Sequence, residues 1–417
     1  MMNNGRRQWI WIVLAWSLAA LAQPAAAITV QIDYTYDTNN FFGSGNPQGA
    51  TGGAQAKAAL ESAATYFSNI LADTFSAIQT PPPMQSAVSD GKIVWSWSET
   101  FRDPSTGLDA ERVDPTVPAN KFVIYAGARS LTDATAGIGG PGGYSYVPRT
   151  VVGTNSFTQA QLDQEPIITK NFTDAITTRG QVSGFSRWGG TIAFDSSARV
   201  WSFDHTNAPL PGTTDFYSVA IHELAHSLGF GEQSDPPSPP SAWQTRVSGS
   251  SFTGTNAKSQ NNGNSVPLDT KLAHWAAGTP STIFGANTQQ EAAMDPDLLD
   301  GQRKRFTTLD AYALKDIGWE VLTPPAPAVN GDYNNNGKVD AADYVLWRNN
   351  LNQNVTLPND TTPGTVTNAD YTVWRSNFGT SAGAGSGALL GGPAVPEPTA
   401  VALLIAAATL AALHRRH

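Results

Sequence analysis

Two histidines four residues apart mark the stretch of this sequence best suited to chemistry. In the run His-Glu-Leu-Ala-His, His222 and His226 follow a segment with helical apolar spacing, so both imidazoles share one helix face. Such a pair binds one metal ion, and Glu223 beside it can accept a proton from a bound water. Gly229 comes where a helix of this length ends. The motif predicts a zinc-binding helix of the kind found in peptidases.

A catalytic zinc ion takes three protein ligands and keeps one open position. Apart from its terminal segments, the chain contains only two further histidines, His205 and His274. We favour His274 as the third ligand because neutral imidazole is common in that role. Glu232, ten residues after His222, is the alternative and would give a glutamate-type zinc site. His205 lies in a polar stretch before the helix and is predicted to be structural.

Composition limits the classes of function. The 417 residues allow two or three domains, and a net charge of −9 argues against nucleic acid as a partner. Charged residues make up only 14% of the chain, while glycine (38) and proline (28) are plentiful, which is typical of a loop-rich secreted protein. The sequence contains no cysteine, so a disulfide framework and a thiolate nucleophile are both excluded.

Periodicity predicts an alternation of strands and helices before the zinc helix. We expect a strand at residues 28–36, a helix at 54–75, and further strands at 92–97, 121–126 and 190–194. The glycine-rich residues 137–143 are predicted to form a loop. Residues 189–195 are our candidate for a strand that pairs with an extended substrate, and an interior position in the sheet is the alternative.

The sequence after the zinc helix is less regular. Residues 231–270 are poor in charge and rich in serine, glycine, asparagine and proline, which predicts a long irregular segment. An apolar helix at residues 309–319 is expected to close this part of the chain.

Three motifs together resemble the leishmanolysin family of metzincin zinc peptidases: HELAHSLGF from residue 222, a distant His-Trp at 274–275, and Met-Asp-Pro from Met294 followed by LDAYALKDIGW. The resemblance implies an α+β domain at residues 28–323, with a twisted mixed sheet, an active-site helix and a mostly irregular lower subdomain. It also implies His274 as a zinc ligand and Met294 in the turn beneath the metal. The implied activity is hydrolysis of a protein or peptide, with Glu223 as general base.

A second domain is predicted after a proline-rich linker at residues 324–330. Residues 332–343 match an EF-hand calcium loop, with glycine at its sixth position. A loop-and-helix unit recurs 27 residues later. In this second copy Thr361 and Pro363 are poor ligands, so the sequence leaves open whether the second loop binds calcium. The duplication resembles a small α-helical type I dockerin over residues 331–379 and implies a cohesin-like partner. The predicted calcium ligands are Asp332, Asn334, Asn336, Lys338 through its carbonyl, Asp340 and Asp343.

Both ends of the chain look like targeting segments. Residues 1–27 have the basic start, apolar run and small-residue cleavage site of a signal peptide. After a Gly/Ser linker at 380–394, residues 395–417 combine Val-Pro-Glu-Pro, a short transmembrane-like stretch and a basic end. This order resembles the PEP-CTERM sorting signal, which implies an exosortase-like enzyme, transient membrane anchoring and delivery to the cell surface or the medium. A simple tail anchor is the alternative.

The sequence therefore predicts an exported zinc endopeptidase that carries a calcium-binding, dockerin-like module. The alternative is a non-catalytic surface assembly or adhesion protein that contains a protease-like domain. An intact Glu223 and a full set of candidate ligands favour the enzyme.

Overall fold

The computed structural model describes residues 27–380 except 133–134, 182–184, 186, 198, 234–239, 287, 323–328 and 335–337. Those residues form seven α-helices and fifteen strands in several sheets, so the predicted α+β class is confirmed. The chain divides into two compact units. The first comprises Met1–Phe284 and Gln290–Pro324, and the second comprises Gly285–Gln289 and Pro325–His417.

The elements follow one another in mixed order. The helices are α1 (Gly49–Ile70), α2 (Gln159–Thr177), α3 (Phe216–Ser227), α4 (Thr255–Gln260), α5 (Thr308–Asp316), α6 (Ala341–Asn350) and α7 (Asn368–Asn377). The strands are β1 (Thr29–Asp33), β2 (Met84–Gln85), β3 (Lys92–Arg102), β4 (Asp109–Val113), β5 (Lys121–Arg129), β6 (Gly137–Pro141), β7 (Gly143–Val152), β8 (Gly189–Asp195), β9 (Trp201–Ser202), β10 (Thr214–Asp215), β11 (Val247–Ser248), β12 (Ser251–Phe252), β13 (Val266–Pro267), β14 (Pro280–Thr282) and β15 (Gln289–Glu291).

The main sheet of the first unit has the order β1-β5-β8-β6. Strands β1, β5 and β8 are parallel, and β6 is antiparallel at the edge. Helix α1 lies against this sheet because its alanine-rich face, with Leu60 and Phe67, is fully buried. Helix α3 packs on the same core, in which Phe194 and Phe216 are in direct ring contact.

One expectation about this sheet is wrong, and for residues 189–195 the interior alternative is confirmed. Residues 137–143 were expected to be a loop, but residues 137–141 form the edge strand β6. Strand β8 at residues 189–195 is interior, because β5 pairs with one of its edges and β6 with the other. With both edges hydrogen-bonded, β8 has no backbone groups left to pair with an added strand.

A second antiparallel sheet is built around the long strand β3, which pairs with β7 along one edge and with β2 and β4 along the other. Helix α2 covers part of it and buries Phe172 and Ile176. The sequence patterns did not predict β4, β7 or α2. Strand β7 is largely exposed and α2 has low mean hydropathy, so neither shows strong apolar periodicity.

The segment after α3 is more ordered than expected. Residues 231–270 were predicted to be irregular, yet they contain β11, β12, β13 and the short helix α4. A cluster of buried aromatic rings explains this order, because Phe230, Trp243, Phe252 and Trp275 are in mutual contact. Helix α5 then begins at a capping box formed by Thr307 and Asp310.

The second unit has its own small apolar core, centred on Trp347 and Trp374. Its helices α6 and α7 are joined by a reciprocal exchange of hydrogen bonds. The Trp347 indole donates to the carbonyl of Thr367 at 2.7 Å, and the Trp374 indole donates to that of Asp340 at 2.8 Å. Thr367 and Asp340 are the N-caps of the two helices, so each helix start is fixed by the other repeat.

Within the described residues, no helix is both long enough and apolar enough to cross a membrane. The predicted signal peptide up to residue 26, most of both predicted linkers and the predicted sorting segment at 395–417 lie outside the described residues.

Candidate metal centre

The first turn of helix α3, which precedes both of its histidines, is fixed by hydrogen bonds. Asp215 caps the helix by accepting from the backbone N–H of Ser218 at 3.0 Å. The guanidinium of Arg303 holds the Asp215 carboxylate with two hydrogen bonds, of 2.7 and 3.0 Å. The buried positions Ala220, Leu224 and Leu228 face the core, so the helix can rotate little.

Two close backbone approaches demand glycine around this helix. A Cβ atom at Gly139 in β6 would lie 2.2 Å from the carbonyl oxygen of Glu223. At Gly229, φ is +93° and a Cβ atom would lie 2.5 Å from the ring of Phe185. These glycines allow β6 to lie against α3 and the chain to turn sharply after it.

The structure brings together His222 and His226 of α3 with His274, which is 48 residues beyond His226. The Nε2 atoms of His226 and His222 are 3.1 Å apart, and those of His226 and His274 are 3.0 Å apart. Ligand atoms of all three residues lie within 4.8 Å of one another. The three imidazoles therefore point at one common position.

Each of these rings is held by an oxygen at its opposite nitrogen. Nδ1 of His222 contacts the carbonyl of Ala293 at 2.8 Å, and Nδ1 of His226 contacts that of Phe230 at 2.8 Å. Nδ1 of His274 is 3.2 Å from a carboxylate oxygen of Asp269. Because oxygen acceptors require a proton on Nδ1, the neutral form of each ring presents the lone pair of its Nε2 atom to the common position.

Burial sets the protonation states at this centre. It lowers the pKa of His222 far below its ordinary value, and it lowers the pKa of His226 to about 4, with His274 adding to the effect. Both rings are therefore neutral at pH 7, as metal ligands must be. Burial also raises the pKa of Glu223 to about 8, against the opposing effect of a hydrogen bond from the backbone of Gly139.

The donor set fits a divalent cation such as Zn²⁺. Nε2 of His226 lies about 3 Å from Nε2 of His222 and from Nε2 of His274, and lone pairs at that distance repel one another unless a cation lies between them. Three imidazoles with their Nδ1 protons donated to oxygens form the usual environment of a catalytic zinc site, with one position left for water or substrate.

The competing residues are occupied elsewhere. Glu232 accepts a hydrogen bond from the guanidinium of Arg187 at 2.9 Å, so His274 rather than Glu232 joins the cluster. His205 stacks on Tyr217 outside the cleft, in agreement with a structural role. Met294 is fully buried in a turn, where its carbonyl accepts from the backbone N–H of Trp275 at 3.0 Å.

A cleft of about 990 Å³ runs past the histidines. One wall is the edge strand β6, and the other is formed by the segments around His274 and Asp295. Glu223 lines the cleft beside His222 while remaining only 6% exposed. The cleft is large enough for several residues of an extended peptide.

Sequence reasoning missed two of the residues that hold the histidine rings. Asp269 lies in a segment predicted to be irregular, and Ala293 acts only through its carbonyl. The spacing of five between Asp269 and His274 was available as a signal, because metal-bound histidines commonly have carboxylate partners. Every residue has a backbone carbonyl, so a single sequence does not show which one accepts a hydrogen bond from a histidine.

In the second unit, the structure describes five of the six predicted calcium ligands, and Asn336 lies outside the described residues. Asp332 and Asp343 are buried. The two Asp343 oxygens accept from the backbone N–H groups of Asn334 at 2.9 Å and Asp340 at 2.8 Å, while the Lys338 side chain is exposed. Carboxylate, amide and backbone carbonyl oxygens, which the six predicted residues supply, are the ligand types that Ca²⁺ prefers.

The second copy of the loop closes by hydrogen bonds to one carboxylate, that of Asp370. Thr362 donates its hydroxyl proton to Asp370 at 2.5 Å, and the backbone N–H of Thr367 donates to the other oxygen of Asp370 at 2.6 Å. Thr367 stands where the first copy has Asp340, so this loop has one ligand carboxylate fewer at that position.

Comparison with protein-family models, with curated proteins and with solved structures gave no match for this chain.

Proposed function

We propose that this chain is an exported zinc-dependent endopeptidase of the metzincin type, related to the leishmanolysin family. The observation that carries the proposal is the convergence of three lone-pair-bearing Nε2 atoms beside a buried glutamate in an open cleft. His222, His226 and His274 are the proposed zinc ligands, and Met294 is proposed as the methionine of the turn near the metal.

The proposed chemistry divides between the ion and the chain. A bound zinc ion lowers the pKa of a water molecule in its open position and polarises a peptide carbonyl. Glu223 serves as general base, accepting a proton from the attacking water and delivering it to the departing amine. The charge of a bound zinc ion would favour the ionised form of Glu223 and would offset the burial that raises its pKa to about 8.

Strand β6 is the proposed support for the substrate. One edge pairs with β8, and residues of β6 line the cleft. An extended peptide that pairs with the other edge would pass the histidine cluster with its backbone held in register. This assigns to β6 the role that the sequence suggested for residues 189–195.

We propose that the second unit is a calcium-binding, dockerin-like attachment module. Calcium is assigned to the loop at residues 332–343, and the duplicated helices form the surface for a cohesin-like protein. The second loop, closed by Thr362 and Asp370, is proposed to fold without calcium. From the sequence features at both ends of the chain, we also propose that the protein is exported, is processed by an exosortase-like enzyme, and is located at the cell surface or outside the cell.

Metal analysis with a protease assay tests the enzymatic proposal. Purified protein is expected to hold one zinc ion per chain and to hydrolyse casein, with activity lost to 1,10-phenanthroline and restored by added zinc. A chain that binds zinc but cleaves neither casein nor a mixed peptide library would favour the non-catalytic alternative. A chain without stoichiometric zinc would contradict both the ligand assignment and the enzyme.

A further inference from the structure

Asp310 is a buried carboxylate at the start of α5 that accepts hydrogen bonds from three separate segments. Its Oδ2 atom accepts from the backbone N–H and the hydroxyl of Thr307 at 2.9 and 2.6 Å, and from the backbone N–H of Ala293 at 2.9 Å. Its Oδ1 atom accepts from the Trp275 indole at 2.8 Å and from the backbone N–H of Met294 at 3.3 Å. Four of these five groups are N–H donors, which only an acceptor can satisfy.

One of these contacts leads directly to a zinc ligand. The peptide group between Ala293 and Met294 donates its N–H to Asp310, and its carbonyl accepts from Nδ1 of His222 at 2.8 Å. A hydrogen-bond acceptor at the N–H end of a peptide group polarises that group and makes its carbonyl a stronger acceptor. A stronger acceptor at Nδ1 in turn raises the basicity of Nε2 on the same imidazole.

A second contact leads to the neighbour of another ligand. The indole of Trp275 is held by Asp310, and the backbone N–H of Trp275 donates to the Met294 carbonyl at 3.0 Å. Trp275 is fully buried and directly follows His274. The same carboxylate therefore fixes the turn that orients His222 and the side chain that anchors the His274 segment.

We propose that Asp310 is a positioning residue of the metal centre, which strengthens His222 as a ligand through the Ala293–Met294 peptide and anchors His274 through Trp275. This inference rests on the proposed zinc site and concerns metal affinity rather than a catalytic step. Asp310 contacts none of the three histidines directly among the hydrogen bonds that the described residues make.

The test compares Asp310→Asn with Asp316→Asn in the full-length chain. Asp316 is a matched control, because it is also buried on α5 and accepts three hydrogen bonds, all from Asn256 and Ala257. Chelator competition is expected to show a zinc dissociation constant about ten- to a hundredfold higher for Asp310→Asn and within about twofold of the parent for Asp316→Asn. Equal effects of the two substitutions would overturn the inference.

A measurement on the metal-free protein separates a specific change at the His222 imidazole from a general loss of rigidity around the metal centre. The side-chain ¹⁵N signals of His222 are expected to move in Asp310→Asn, because its Nδ1 proton loses a polarised acceptor, and to stay unchanged in Asp316→Asn. Unchanged His222 signals in both variants would also count against the proposal. A parent chain without stoichiometric zinc would defeat the proposed function together with this inference.

If Asp310→Asn does not fold, Trp275→Phe takes over the test. This substitution removes one donor to Asp310 and is expected to raise the zinc dissociation constant about threefold by freeing the His274 segment. Trp97→Phe is its control. The Trp97 side chain, on strand β3 of the second sheet, is also buried, and its indole donates a hydrogen bond to the Pro115 carbonyl. Similar zinc affinities in the two Trp→Phe variants would overturn the proposal.

Discussion

The histidine cluster and the loop at residues 332–343 both contain metal-ligand residue types, yet they assemble them in opposite ways. The cluster draws its proposed ligands from two distant parts of the chain, and each ring is held by an oxygen at Nδ1. The loop draws all its predicted ligands from twelve consecutive residues. A site of the first kind is held by the protein core, whereas one of the second kind is held largely by the ion it binds.

This difference leads us to expect different responses to metal removal. His222 and His226 lie on a helix whose apolar face belongs to the main core, and His274 precedes Trp275 of the same core, so that unit should keep its fold without zinc. The small unit has a core of only a few large side chains, so ordering of its loop by calcium should contribute a larger share of its stability.

Glu223→Gln gives the largest expected effect and tests whether the preorganised site is catalytic. The amide cannot accept the proton from water, so kcat on a peptide substrate should fall about a thousandfold. Zinc content should stay at the parental level, because Glu223 is not a proposed ligand. Casein hydrolysis at the parental rate would exclude Glu223 as the general base.

The second test asks whether the distant ligand is His274. His274→Ala should raise the zinc dissociation constant at least about a hundredfold, since one of three protein ligands is lost. Glu232→Gln should leave it nearly unchanged, because Glu232 is paired with Arg187. Chelator competition measures both. The reverse ranking would favour the glutamate-type site.

Calcium should stabilise the small unit through the first loop only. At about thirty times the dissociation constant, calcium is expected to add about 2 kcal/mol to its free energy of unfolding. Asp343→Asn should abolish this gain, and Asp370→Asn should preserve it. Both residues close a capping box, so calcium is the main difference between them.

Calorimetry of the full chain with and without EGTA measures the effect, provided that the two units melt separately. In the presence of a zinc-specific chelator, the large unit should still show its unfolding transition, because it is expected to keep its fold without zinc. Equal loss of the calcium response in both variants would show that the two loops do not differ in the way proposed.

The smallest expected effect depends on pH rather than metal and belongs to the large unit. Burial raises the pKa of Asp73 to about 6, partly opposed by a hydrogen bond from the backbone of Glu320. Between about pH 4 and 6 the folded state then binds more protons than the unfolded state, so the free energy of unfolding falls as pH rises. Allowing for solvent screening, the loss is about 1 kcal/mol.

Asp73→Asn should remove this loss, because an amide does not titrate. Urea unfolding at several pH values, compared between parent and variant, cancels the contribution of the histidines. The difference in stability should change across this pH window and stay constant above about pH 7. A constant difference throughout would contradict the raised pKa.

The sequence predicted what is local. His222, Glu223 and His226 fall within one helical turn, and the order strand, helix, strands, helix follows from apolar periodicity. His274 could be proposed because so few other histidines were available. The calcium loop depends on spacing alone, so it could be described before any fold was known.

Tertiary contacts explain what the sequence did not predict. Residues 137–141 have no alternating side chains, and only the close approach of β6 to α3 shows why glycine is needed there. The oxygens that hold the histidine rings come from residues whose neighbours are set by the fold. The aromatic cluster that orders residues 231–270 likewise joins Phe230 to rings far along the chain.

The crossed indole bonds between α6 and α7 have a consequence for the integrity of the small unit. Since Trp347 completes the start of α7 and Trp374 completes that of α6, neither repeat holds a finished helix by itself. We expect a single proteolytic cut between the repeats, or a stop codon before residue 374, to unravel both halves together. Limited proteolysis should accordingly yield either the whole unit or none of it.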